Sequence, residues 1–232
     1  MRQIENIYSR LLTAYGPRHW WPAETPYEMM VGAILTQNTA WSNVEKAIAA
    51  FAGRLTPDFV AQVDVGFLAD IIRSSGYHNQ KALRLKTLTQ WFDCYNYDIA
   101  LARQREGDVL RQELLGLNGI GPETADSILL YALEKDFFVV DAYTRRIFTR
   151  LGEKVPVKYD DFRQSIESKL PRAVAVYNEF HALLVEHAKR HCRKKPCCDN
   201  CPLATVCEFS MEAPALSFSG RQASGLPRQE ER

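Results

Sequence analysis

The sequence predicts an all-α protein. Apolar residues recur every three to four positions along most of the chain, helix-starting and helix-ending residues bracket those runs, and one short stretch alone reads as a strand. The first run, over about residues 2–14, falls in MRQIENIYSRLL, where the apolar residues are at helical spacing and not in the basic-then-apolar order of a secretion signal. Thr25-Pro26-Tyr27-Glu28 then offers a capping hydroxyl, a proline where the missing N–H costs nothing, and a glutamate able to reach back to the cap. A helix opens there and carries the apolar run Met29 to Leu35. Further helices are expected over about residues 42–52, 57–63, 66–75 closed by Gly76, 79–94, 107–115, 122–134, 142–151 closed by Gly152, 159–169 and 173–190. Asp136 to Val140 (DFFVV) is the strand-like stretch, too short and solitary to build a sheet. From Met211 onward the chain is rich in Pro, Gly, Ser and charge and lacks periodicity. Residues 211–232 are therefore expected to form a disordered tail.

A chain of 232 residues with 46% hydrophobic content can bury one large helical core or two smaller ones. Lys+Arg at 29 against Asp+Glu at 28 leaves a net charge of +1, so a polyanionic partner has to be met by a local basic surface. No stretch approaches the roughly 20 apolar residues of a membrane span. A cytoplasmic location without a membrane partner is expected.

Cys192, Cys197, Cys198, Cys201 and Cys207 crowd into 16 residues while Cys94 stands apart, a density that favours metal ligation over disulfides in a reducing compartment. Four thiolates from Cys192, Cys198, Cys201 and Cys207 suit either a tetrahedral zinc or a four-iron cluster, and spacing alone does not choose between them. Cys197 is a rival for the second place, although the Cys198-Asp-Asn-Cys201-Pro turn points two thiolates at one metal.

In Leu117-Asn118-Gly119-Ile120-Gly121-Pro122-Glu123-Thr124, two glycines allow a sharp turn, tuck Ile120 beneath it and bring bare N–H groups to the surface beside the positive end of the next helix. Such a corner suits a phosphate. Twenty residues after Gly121 comes Asp141, closing Val139-Val140-Asp141 and able to cap the helix that follows.

Hairpin, helix, apolar stretch and aspartate together resemble the helix-hairpin-helix and Gly/Pro-Asp signature of the endonuclease III superfamily of DNA glycosylases. The Cys-x2-Cys-Pro-Leu-x4-Cys segment is similar to that superfamily's C-terminal iron-sulfur loop, with the first two ligands one residue closer together here. The resemblance implies two helical lobes: residues 22–132 as one, and residues 1–21 with 133–210 as the other, ending in the iron-sulfur loop. It implies Asp141 as the catalytic carboxylate, stabilising positive charge on the sugar or deprotonating water. A structural 4Fe-4S cluster is implied on Cys192, Cys198, Cys201 and Cys207, with zinc the alternative, bracing a loop whose Lys189, Arg190, Arg193, Lys194 and Lys195 face phosphates alongside Gly119, Ile120 and Gly121.

Members that also nick the strand carry a lysine at the position of Glu123, and a carboxylate cannot form an imine, so no lyase activity is expected. His19-Trp20-Trp21-Pro22 and Gln37-Asn38-Thr39-Ala40-Trp41 resemble the 3-methyladenine DNA glycosylase III branch. That likeness implies a base pocket of Trp21, Trp41 and Glu123, with Gln37 and Asn38 entering the gap left by the flipped nucleotide; Trp20 reads as core. The expected partner is double-stranded DNA holding a damaged base, bound by a monomer associated with the nucleoid. The rivals are a glycosylase for another damaged or mispaired base and a non-catalytic DNA-damage binder on the same scaffold.

Overall fold

The computed structural model describes residues 4–20 and 23–212, and within them the regular structure is helical. In chain order the helices begin with α1 (Ile4–Tyr15), α2 (Pro26–Leu35), α3 (Trp41–Ala50), α4 (Pro57–Gln62), α5 (Val65–Ile71), α6 (His78–Asp93) and α7 (Ile99–Arg103). There follow α8 (Gly107–Leu115), α9 (Pro122–Tyr131), α10 (Ala142–Arg150), α11 (Tyr159–Glu167), α12 (Val174–Arg190) and α13 (Glu208–Glu212). In space, α1 leaves its sequence neighbours and packs on α12, which also receives α10; α2 packs on α3, α6 and α9. Helix α9 touches α2 and α8 on one side and α11 and α12 on the other, so it joins the two groups.

Local chemistry sets most helix starts. Thr25 Oγ1 accepts the Glu28 N–H at 3.0 Å, and the Glu28 carboxylate turns back to the Glu24 N–H at 3.3 Å. Thr56, Asp64 and Asp98 cap α4, α5 and α7 in the same way, and the Asp98 cap starts a short helix that apolar periodicity does not reveal. Helix α2 is buried over nearly its whole length, as its unbroken apolar run requires. Its C-terminal carbonyl at Leu35 is met by the buried Lys81, whose Nζ donates to Leu35 O at 2.8 Å and Ser75 O at 2.7 Å.

Three segments depart from the sequence expectation. The helix expected over 66–75 ends at Ile71, and a tight 3₁₀ turn, Arg73–Ser75, carries the chain to Gly76 at φ 69°. Helix α9 stops at Tyr131 and the chain breaks at Glu134, where φ is 53°. After that break Phe137 to Val140 run buried without a partner strand among the described residues, and side chains stand in for the missing ladder. Phe138 N–H donates to Glu167 Oε1 at 2.8 Å and Val140 N–H to the Tyr159 hydroxyl at 3.2 Å. Lastly, Met211 and Glu212 close α13, and the rest of the expected tail lies outside the described residues.

Arg111 on α8, Asp126 on α9 and Asp160 and Arg163 on α11 form an ion network between these helices. Arg111 lies 2.7 Å from Asp126 and 2.6 Å from Asp160. Asp126 is fully buried, and burial pushes its carboxyl upward in spite of Arg111 and Arg163, so the network fixes the orientation of α9 more than it adds stability.

Candidate active site

Asp141 stands where the extended segment ends and α10 begins. Its Oδ1 accepts the Thr144 N–H at 2.7 Å and the Thr144 hydroxyl at 2.8 Å, which locks the carboxylate's rotamer. The other oxygen, Oδ2, faces His181 Nε2 at 3.7 Å, beyond hydrogen-bond length, and that buried nitrogen has no bonded partner among the described residues. Burial favours the neutral acid, but His181 and the two Thr144 donors outweigh it and hold Asp141 below the usual carboxylate range. Behind His181, its Nδ1 pairs with the hydroxyl of buried Tyr131, whose own proton is held tightly because burial raises its pKa far above the ordinary value. A proton on Nε2, facing the carboxylate, leaves Nδ1 to accept from Tyr131.

This carboxylate opens onto a cavity of about 380 Å³, within the range of small-molecule sites. Trp20, Trp41, Gln37, Asn38, Glu123 and His181 share its lining, with Arg84 and Lys189 adding positive charge. Trp41 packs over Gly32, where a Cβ would lie 3.8 Å from its ring. Trp20, read as core from sequence, is half-buried and also faces the cavity, its ring edge-on to Tyr131 at 5.4 Å. Trp21 lies outside the described residues.

Glu123, in the first turn of α9, reaches the same cavity. Glu123 is exposed to the cavity, yet the protein around it still desolvates the carboxyl; that desolvation first, and the charge of Asp141 second, push its pKa up to about 7, against the lowering influence of His181 and Arg145. The two carboxyls are thus driven apart, one ionised and one half-protonated near neutrality.

The hairpin has the geometry that its glycines promise. Gly119 sits at φ 83°, Ile120 is buried, and no side chain caps α9 at Gly121, leaving first-turn N–H groups facing outward. Gln37 is tied to this corner: its Nε2 donates to Gly119 O at 3.1 Å and to Thr124 Oγ1 at 2.9 Å, while Arg84 donates to its Oε1. Asn38, its neighbour, is exposed at φ 54°.

At the far end of α12, Arg193, Lys194 and Lys195 are exposed. Arg190 differs from the sequence expectation, because its guanidinium pairs with Glu186 and stacks over Tyr15 at 5.1 Å. Cys192, Cys197, Cys198, Cys201 and Cys207 all line one small cavity, and the thiols of Cys201 and Cys207 are pushed up by burial first and by the charges of Cys192 and Cys198 as well. Cys197 is exposed and does not contribute to that mutual repulsion; its backbone pairs with His191. Among the described residues no three metal-binding side chains already close on one point. The donor set, four mutually repelling thiols in a loop held by Arg146 and Arg150 through Cys192, fits a thiolate-ligated metal centre.

His181, Tyr131 and Arg84 escaped the sequence reading. His181 sits in Phe180-His181-Ala182-Leu183-Leu184-Val185, where a single polar residue in an apolar helical run is the one signal present, and that signal is equally the mark of a satisfied core histidine.

Among the described residues no helix is long and apolar enough to cross a membrane. A family model for HhH-GPD superfamily base excision DNA repair proteins matches residues 31–172. A putative DNA repair glycosylase of Methanocaldococcus jannaschii is 49% identical over 88% of this chain and 95% of its own, and endonuclease III of Sulfolobus acidocaldarius is 29% identical over 80% and 83%. In three dimensions the H. pylori 3-methyladenine DNA glycosylase bound to 1,N6-ethenoadenine superposes with a TM-score of 0.71 at 28% identity, covering 82% of this chain and 98% of that one. A trapped endonuclease III–DNA covalent intermediate gives 0.77 at 23% identity, over 90% and 96%, and attests the fold. The chain belongs to the HhH-GPD superfamily of base excision DNA repair proteins, as a DNA glycosylase whose partner is DNA.

Proposed function

We propose that this glycosylase is monofunctional and releases an alkylated purine from duplex DNA. The observation that carries the reading is the ionised, rotamer-locked Asp141 at the wall of a cavity that also holds Trp20, Trp41 and Glu123. As the bond from C1′ to the base breaks, positive charge builds on the sugar and the fixed carboxylate lowers its energy. Water then adds to C1′, and Asp141 accepts its proton. An alkylated purine is an electron-poor ring, and indole faces attract such rings best. The similar H. pylori enzyme, with a purine adduct bound, supports the substrate class.

The hairpin amides of Gly119 and Gly121, with Arg193, Lys194 and Lys195, grip phosphates. Asn38 is the better placed of the expected pair to enter the gap left by the flipped base, since Gln37 first has to give up its bonds to the hairpin. Cys192, Cys198, Cys201 and Cys207 would hold a four-iron, four-sulfur cluster that braces the basic loop, with zinc as the alternative occupant.

Glu123 cannot form an imine with the sugar. Lys189 is an amine at the cavity, so the test includes it. Wild type and Asp141→Asn are assayed for base release and DNA binding on duplexes holding alkylated, deaminated and oxidised bases, with borohydride present in a parallel reaction. Release of alkylpurines that Asp141→Asn abolishes without loss of binding is expected. Borohydride trapping that disappears in Lys189→Ala would overturn the monofunctional reading, and release of no base from any duplex would favour a DNA-damage binder.

A further inference from the structure

Asp141 accounts for the sugar's charge but leaves the base unattended. An alkylated cationic purine needs no help to leave, because its N9 takes the bonding electrons and the ring becomes neutral. A neutral purine departs as an anion unless something supplies a proton to a ring nitrogen. A carboxyl in the cavity is placed to do so.

We propose that Glu123 is the general acid of this site, which brings neutral purines with a free ring nitrogen into its substrate class alongside cationic ones; this rests on the glycosylase reading above. Glu123 projects from the first turn of α9 into the cavity that Trp20, Trp41 and Asp141 line, and among the described lining residues Asp141 is the other acid. The ionisable groups facing it are Asp141 and Arg145 from α10, His181 and Lys189 from α12, Arg84 from α6, and Tyr131 and Tyr143 at the wall. The positive end of α9, the Arg145 guanidinium and the nearby His181 ring favour ionised Glu123; crowding by protein and the Asp141 carboxylate oppose them and prevail. The acid is therefore about half-protonated near neutrality and increasingly protonated below it, while Asp141 is ionised. Among the described residues no hydrogen bond acts on the Glu123 carboxyl, and it faces the cavity where a ligand would sit.

The step balances. Glu123 O–H passes its proton to a ring nitrogen of the purine, the C1′–N9 electron pair goes to the base, and the base leaves neutral. Water bonds to C1′, its proton goes to Asp141, and solvent carries that proton back to Glu123.

The test is single-turnover release of hypoxanthine, a neutral base, and of 7-methylguanine, a cationic one, by wild type and Glu123→Gln from about pH 5 to about pH 9. In the wild type, hypoxanthine release is expected to fall about tenfold per pH unit above about 7, and Glu123→Gln is expected to lose that fall. Glu123→Gln is expected to slow hypoxanthine release about 10²–10⁴-fold, and 7-methylguanine release at least about tenfold less than that. The cationic rate controls for folding and binding of the variant. Equal slowing of both bases, or wild-type release of 7-methylguanine alone, overturns the acid role and leaves the glycosylase reading standing. Release of neither base by wild type, nor of any other alkylpurine, would sink both.

Discussion

Asp141 does two separable things, and two substitutions pull them apart. Its Oδ1 caps α10 through the Thr144 N–H and also satisfies the Thr144 hydroxyl, which is fully buried. Alanine removes both bonds. The lost cap costs about 1 kcal/mol, and the stranded hydroxyl costs about 1–3 kcal/mol more. Together these come to about 2–4 kcal/mol, which for a chain of this size lowers Tm by about 5–15 °C. Asparagine keeps an oxygen at Oδ1 and so keeps the cap, but it removes the charge. Some stability is still lost at neutral pH, because a carboxyl held below its ordinary 3.8 stabilises the fold above that value and ceases to do so as pH falls through its folded value. Asp141→Asn should therefore melt at least about 2 °C above Asp141→Ala, while both lose base release by about 10²-fold or more. Thermal unfolding beside single-turnover release checks this. Variants that melt together would refute the capping argument, and asparagine releasing base within tenfold of wild type would refute the catalytic one.

Cys198→Ser should lose its bound metal while Cys197→Ser retains it, measured as iron and zinc per chain on protein purified without oxygen; the reverse pattern would reassign the second ligand. Gly119→Ala forces an L side chain to φ 83° and into the space of Arg84, so it should cost about 1–2 kcal/mol and weaken duplex binding by disturbing the Gln37 latch; unchanged Tm and affinity would refute this. Lys81 is buried against carbonyls, and burial lowers its pKa from 10.5 to about 8. The unfolded chain then holds that proton more tightly, so stability should rise with pH between those values, and Lys81→Met should flatten the rise. A denaturant midpoint in that window with the same slope in both proteins would contradict it.

The helices were legible because their causes are local. Thr25-Pro26-Tyr27-Glu28 caps α2 within four residues, and Gly119 turns the hairpin through its own backbone freedom. Short helices such as α7 were missed because five residues are too few for apolar periodicity to register. In the candidate site, Asp141 and Glu123 were singled out by the family resemblance of the hairpin segment, yet nothing near Glu123 in sequence announces a raised pKa. Its cause is first the protein mass around the cavity and then Asp141, which lies eighteen positions away along the chain.

Legible in the chain itself were the helical class, a glycine turn at Gly119 to Gly121 suited to a phosphate, Asp141 at a helix start, and a dense run of cysteines with Cys197 and Cys198 as rivals for one place. Tertiary structure alone decided that His181 and Tyr131 stand behind that carboxylate, that Trp20 joins the cavity, that Gln37 is latched to the hairpin and that Arg190 is spent on Glu186. Backbone capping and glycine turns act over a few residues and can be read in order. Desolvation, charge coupling and competition for hydrogen-bond partners act through space, and they arise only when α6, α9, α10 and α12 are brought together.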